Sequence, residues 1–145
     1  MDENRPSGLM TVGRLAARTG LTIKAIREYE GRGLIYCAGR TASGYRLFDD
    51  ASLWCIGMIK TLRGLGLTIK EIEDLTAVYM RKPDQEAGPK LAELLNRVDR
   101  RIDERVRALE EVRSRVRSFR REHSVELRGG HRVGLADPRR ARESA

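Results

Sequence analysis

Between Met10 and Leu75 the chain is cut by threonine caps and glycine stops into short helical segments, and this punctuation restricts the region to a small helical head. Thr11 is placed to cap a first helix over residues 12–18, whose Val12, Leu15 and Ala16 share one face. Gly20 ends it, as a glycine just past a helix often does. Thr22 then caps a second helix, with Ile23 and Ile26 at helical spacing and Glu30 on the same repeat, until Gly31 and Gly33 stop it. Two short helices around a three-to-four-residue turn containing glycine make a helix-turn-helix pattern.

Beyond Gly33 the pattern alternates between strand and helix. Residues 34–36 and 45–48 have strand character with Ser43-Gly44 as the turn between them, giving a small hairpin that carries Arg40 and Arg46. Asp49 or Asp50 caps a third helix near residues 50–64, whose apolar face is given by Leu53, Ile56, Ile59 or Lys60, and Leu62 or Arg63. Gly57 weakens that helix by about 1 kcal/mol relative to alanine, so close packing is expected there. Gly64 and Gly66 break it, and Thr68-Ile69-Lys70-Glu71 is a capping box opening a fourth helix to about Tyr79.

Residues 81–89, with two prolines, a glycine and mixed charge, read as a linker, and residues 1–9 as a loose tail. Residues 90–121 then form one helix of about 48 Å at 1.5 Å per residue. Its apolar residues are Leu91, Leu95, Val98, Ile102, Val106, Leu109, Val112, Val116 and Phe119, in steps of three and four that average 3.5. That is the coiled-coil period, and the remaining positions are highly charged. The first eight of these residues are the expected dimerisation stripe. Residues 122–145, rich in arginine, glycine and small residues, read as a basic, disordered tail.

Composition narrows the class. Of 145 residues 34% are charged and 5% aromatic, which favours small helical subdomains over a large enzyme-like core. The net charge of +8 favours an anionic partner such as nucleic acid. No apolar run approaches the roughly 18 residues of a membrane span, the first ten residues have no signal-peptide core, and a cytoplasmic location without membrane contact is expected. Cys37 and Cys55 form no close-spaced metal or redox motif and read as free thiols.

A helix that reads DNA needs short or cationic side chains near its N-terminus. Thr22, Lys24 and Arg27 meet that need, and Lys24 and Arg27 lie three apart on one face. On the hairpin, Arg40 and Arg46 suit phosphate oxygens and Tyr45 offers a hydroxyl donor. Lys60 and Arg63 end the third helix, and the amides at Thr68 are open to a phosphate. No nucleophile–base pair, phosphate-cradling glycine loop or paired acid appears, so a non-enzyme without cofactor is expected.

These strings together resemble the MerR family of bacterial transcription regulators over about residues 10–121. TIKAIREYE is similar to the family's recognition helix, RTASGYRLF to its first wing and LRGLGLTIKEI to its second. The resemblance implies a mostly α fold: a winged helix-turn-helix head with a small β-hairpin, followed by an antiparallel coiled-coil dimer helix. It further implies a homodimer on a pseudo-palindromic promoter in double-stranded DNA, bending and untwisting the spacer so that bacterial RNA polymerase engages both elements. Carried over position by position, Lys24, Arg27, Arg40, Tyr45, Arg46, Lys60 and Arg63 become the DNA contacts. The family usually has an aromatic where this chain has Glu28. An acid there repels phosphate unless it pairs with Arg27, Arg32 or another cation, so Glu28 is left out of the contact set.

The effector is the thinnest part of the sequence. Metal-sensing relatives place cysteines at the end of the dimer helix, and no cysteine comes after Cys55 here. His123 and His131, with Glu122, Glu126 or Asp137, match no known zinc spacing, so no metal site is assigned. Trp54, Leu75, Tyr79 and Phe119 are candidate walls of an apolar pocket between the head and the partner's helix. An organic effector is therefore expected, and the alternative is an architectural DNA-binding protein with no effector.

Overall fold

The computed structural model describes residues 8–129, and its order of elements is β1 (Met10–Thr11), α1 (Val12–Thr19), α2 (Ile23–Gly31), β2 (Gly39–Arg40), β3 (Arg46–Phe48), α3 (Asp50–Gly64), α4 (Ile69–Arg81), α5 (Ala87–Glu122) and α6 (Ser124–Leu127). It is mostly α, as expected, with one small antiparallel sheet. By contacts the chain falls into two units that meet between Asp99 and Arg100.

The first unit is the head, and its helix starts agree with the caps read from the sequence. The side chains of Thr11, Thr22, Asp49 and Thr68 each accept a backbone N–H from the first turn of the next helix. At Thr68 the box is complete, because Glu71 reaches back to the Thr68 amide at 2.9 Å. Gly20 ends α1 in the left-handed region at φ 73°, where a side chain would be strained.

The sheet departs from the expected two-stranded hairpin. Its order is β1–β3–β2, with Met10 opposite Phe48, and Gly39 opposite Leu47. Met10 and Thr11 give no strand pattern of their own; they pair because Phe48 and Met10 are both buried. The stretch 34–36 is not a strand. The Leu34 amide is committed to the carbonyl of Tyr29 at 2.9 Å, closing the end of α2, and Leu34 and Ile35 are adjacent and both buried. A strand would send them to opposite faces. The wing turn instead spans Thr41 to Tyr45, with the Thr41 amide on the Tyr45 carbonyl and Gly44 at φ 86°.

Leu15, Ile26, Ile35, Phe48, Ile56, Leu67 and Ile72 build the core, drawn from helices, sheet and turns of the head. Gly57 is not a close-packing site, since a Cβ there would meet nothing within 4 Å. Two further boundaries are corrected. The linker shrinks to five residues between Arg81 and Ala87, because α5 opens three residues before Lys90. Gly88 and Pro89 are accommodated in its first turn, where a backbone N–H has no intrahelical partner to lose. The other correction concerns the stripe. Leu94 (0% exposed) and Val98 (6%) are buried in the head core, and Leu91 and Leu95 pack against it. Val98 is therefore used inside the head, Leu91 and Leu95 are partly buried against it, and Leu94 was missed because it breaks the heptad step.

In the second unit, Ile102, Val106, Leu109, Val112 and Val116 stay on one exposed stripe of α5. Residues 124–127, expected to be tail, form the short α6. The assignments made for residues 1–7 and 130–145, including His131 and Asp137, lie outside the described residues.

Removing the buried Leu94 side chain should test the closure of the core by α5. Leu94→Ala is expected to cost about 2–5 kcal/mol of head stability. A urea titration monitored through the fluorescence of the single tryptophan, Trp54, checks it.

Candidate nucleic-acid interface

The two helices of the turn motif and the wing converge on one groove of about 400 Å³, lined among others by Arg27, Glu30, Arg40, Tyr45 and Arg46. Four of the eight expected contact residues are thus brought together. Arg27 comes from the middle of α2, three residues after the exposed Lys24, while Ile26 between them is fully buried and anchors the helix. Core burial of one face fixes which face of α2 is left for a ligand.

The wing cations are held in place. Arg40 donates from Nη1 to the carbonyl of Gly44 at 3.0 Å, across its own turn. Arg46 pairs through Nη1 with Oε1 of Glu30 at 2.9 Å, which ties β3 to α2. The Glu30 side chain is only 17% exposed, and its Oε2 is buried without a hydrogen-bond partner. A buried acceptor of this kind is costly unless a nearby cation offsets it. Sequence reasoning missed Glu30 as part of the site, although its place on the buried repeat of α2, three residues after Arg27, was a usable signal. Tyr45 is 71% exposed at the wing tip.

The other expected contacts lie elsewhere. Thr22 spends its hydroxyl oxygen on the Ala25 amide at 3.1 Å. Lys60 donates to the carbonyl of Thr19 at 2.6 Å, and Arg63 to that of Leu67 at 3.2 Å.

Glu28 has the partners that its position demands. Arg32 bonds Glu28 at 3.2 Å and Glu73 of α4 at 2.8 Å. Glu73, then Glu28, raise the guanidinium pKa further. On so exposed a surface the pairs supply orientation more than stability. Charge that repels phosphate is in this way neutralised within the head.

Two more cavities belong to the head. An apolar groove of about 370 Å³ is walled by Tyr36, Trp54, Met58, Leu75, Tyr79 and Met80, with Leu91 of α5. Trp54, Leu75 and Tyr79 therefore meet as expected, whereas Phe119 sits in the second unit with its ring 4.3 Å from that of His123. A smaller cavity of about 270 Å³ brings Cys37 and Cys55 to one wall with Asp49 and Ser52. Both thiols are free and half-buried. Burial, and then the charge of Asp49, push the Cys55 thiol up, so it is a poor nucleophile at neutral pH. Among the described residues no helix is long and apolar enough to cross a membrane.

Comparison with known proteins agrees with this geometry. The profile described as MerR HTH family regulatory protein matches residues 10–78. An HTH-type transcriptional regulator of Pseudomonas aeruginosa is 34% identical over 97 residues, which cover 66% of this chain and 74% of that one. A MerR family regulator lacking the sensor domain, HiNmlR, bound to promoter DNA, superposes with a TM-score of 0.57 at 21% identity, over 84% of this chain and 96% of that chain. The regulator PbrR691 of Ralstonia metallidurans CH34, in complex with lead(II), does so at 0.58 and 25%, over 75% and 85%.

The groove separates two kinds of arginine. Arg27→Ala is expected to cost about 1–3 kcal/mol on a duplex selected from a random-sequence pool, and to relax its sequence preference. Arg46→Ala should weaken all duplexes alike and flatten the log–log salt dependence by about 0.9. Gel-shift titrations at several salt concentrations check both.

Proposed function

Because the chain belongs to the MerR family of helix-turn-helix transcription regulators, which are DNA-binding proteins and not enzymes, we propose that it binds a pseudo-palindromic promoter as a homodimer and bends and untwists the spacer for bacterial RNA polymerase. The observation that carries the reading is the exposed stripe Ile102, Val106, Leu109, Val112 and Val116, at coiled-coil spacing on a helix whose earlier turns are seated in the head. An exposed apolar row of this period along a charged helix is the pattern that a second helix covers in a coiled coil. At roughly 25 cal/mol per Å² of apolar surface, five such residues from each of two chains supply several kcal/mol toward association. Two heads held at fixed separation then read two half-sites, each through Lys24, Arg27, Arg40, Tyr45 and Arg46.

The effector of this reading is an organic molecule held by apolar contacts. Its support is the groove of Trp54, Met58, Tyr79 and Met80, whose walls offer aromatic and thioether surface and little charge. Such a lining suits an apolar ligand. Cys37 and Cys55 both line the smaller cavity, and only Cys55, whose thiolate is disfavoured, also borders the apolar groove, whereas a soft metal wants at least two thiolates. In vitro transcription from the selected site separates the cases. Activation by an aromatic compound supports the reading, and activation by Cu(I), Hg(II) or Pb(II) that is lost in Cys37→Ser/Cys55→Ser replaces it with a metal sensor.

The dimer itself has a direct test. Ile102→Asp with Leu109→Asp should sediment as a monomer with a folded head and lose specific binding in a footprint of the selected site. An intact dimer would assign the stripe to another role.

A further inference from the structure

Two cations in the last turns of α3 are both turned onto backbone carbonyls, Lys60 at the end of α1 and Arg63 in the turn from α3 into α4. Lys60 Nζ lies 2.6 Å from the carbonyl oxygen of Thr19, the last residue of α1. Arg63 Nη1 lies 3.2 Å from the carbonyl oxygen of Leu67, the residue before the cap of α4. The Lys60 contact meets one of the few acceptors that the end of a helix leaves open. Thr19 ends α1, whose last four carbonyls have no intrahelical donor and carry the negative end of its dipole, so the Lys60 ammonium is favourable there; the Leu67 carbonyl belongs instead to the turn between α3 and α4. Thr19 is also tied down on its other side: its hydroxyl bonds the Leu15 carbonyl at 2.8 Å, and its Oγ1 accepts the Leu21 amide at 3.4 Å. Gly20 comes next in a left-handed conformation, and a Cβ there would approach the Lys60 ammonium to 4.0 Å. Lys60 is thus fitted into the turn between α1 and α2.

The placement of the two contacts is parallel. Thr19 stands three residues before Thr22, the cap of α2, and Leu67 stands one residue before Thr68, the cap of α4. One helix, α3, thereby grips the approach to both capped N-termini, and its Ile56, Ile59 and Leu62 are buried along the same length. The N-termini of α2 and α4 are the two helix ends whose free amides and dipoles suit a phosphate backbone. Their spacing must match the DNA surface, and a strut that holds both turns sets that spacing.

We propose that Lys60 and Arg63 are positioning residues, which clamp the two turns from α3, and are not phosphate contacts of the bound complex. The proposal goes beyond the promoter-binding reading and reverses the role that the family resemblance implies for these two positions. A clamp and a contact differ in what they do without DNA and in how they respond to salt. A phosphate contact is absent in the free protein, and its removal lowers the slope of log affinity against log salt by about 0.9. A clamp is present in the free protein, and its removal loosens the turn while no phosphate contact is lost.

The test uses the full chain with Lys60→Met and Arg63→Met, which keep the apolar stem and delete the donor. Amide exchange is read on the free protein, and affinity on a duplex selected from a random-sequence pool over a range of salt, with Arg46→Met as the reference for a contact. The expected result for Lys60→Met is faster exchange at Gly20, Leu21 and Thr22, binding weaker by roughly ten- to hundredfold as for a lost charged hydrogen bond, and a slope closer to wild type than to Arg46→Met. Arg63→Met should do the same at Gly66, Leu67 and Thr68. Lys60→Arg, which can still donate to the carbonyl, should restore exchange and affinity. A slope reduced as far as in Arg46→Met, with free-protein exchange unchanged, would assign both residues to the phosphates and overturn the proposal. Wild-type affinity in either Met variant would overturn it for that residue. If Arg46→Met itself leaves the slope unchanged, the wing-contact reading fails, while exchange at the two turns still decides the clamp.

Discussion

The seating of Leu94 in the core of the head is the contact on which the rest of the structure depends. A head made of four short helices and a three-stranded sheet of two- and three-residue strands cannot enclose an apolar interior with its own surfaces. The first turns of α5 complete the enclosure by adding Leu91, Leu94, Leu95 and Val98 to residues from α1 through α4. One helix therefore serves two ends with one periodic pattern. Its early apolar positions are used inside the chain, and its later ones, from Ile102 onward, are left on the surface. That division is what makes a dimerisation role for the later positions a physical expectation, since among the described residues they are exposed.

Charge in the head is organised rather than merely abundant. Arg46 is bound to Glu30, Arg32 to Glu28 and Glu73, and Arg40 to its own turn, while Lys60 and Arg63 hold the carbonyls of two helix turns. Arg40 and Arg46, the two wing cations, would otherwise lose several rotatable bonds on meeting an anion. Orienting them beforehand lowers the entropy to be lost on binding. Glu30 is the most informative member of the set. A carboxylate at 17% exposure with one oxygen unpartnered is retained at an energetic cost, and its partner is the wing arginine on the groove that faces the expected ligand.

The head also keeps its polar and apolar ligand surfaces apart. The groove between α2 and the wing is ringed by arginines, and the groove between α3, α4 and the start of α5 by aromatic and methionine side chains. Arg32 connects them, because Glu73 belongs to α4, whose Leu75 and Tyr79 wall the apolar groove, while Glu28 belongs to the recognition helix.

Local chemistry was legible in the sequence. Thr11, Thr22, Asp49 and Thr68 start helices because a short oxygen-bearing side chain satisfies free amides of the next turn, and that interaction spans three residues. The glycine stop at Gly20, the capping box at Glu71 and the long helix depend equally on near neighbours, and so does the presence of Arg27, Arg40, Tyr45 and Arg46 on the two elements that meet DNA in the resembling family. What only the tertiary structure decided involves residues far apart in the chain. The pairing of Met10 with Phe48 created a strand with no local signal, and the Leu34 amide was taken by a helix end rather than a ladder. The heptad pattern could not say that Leu91, Leu95 and Val98 face the chain's own core, because an apolar stripe is the same whether it meets the chain itself or a second copy. Nor could the basic residues of α3 announce that they reach the turns at Thr19 and Leu67. A cation's partner is set by where the fold places carbonyls and carboxylates, and that is a property of the folded chain alone.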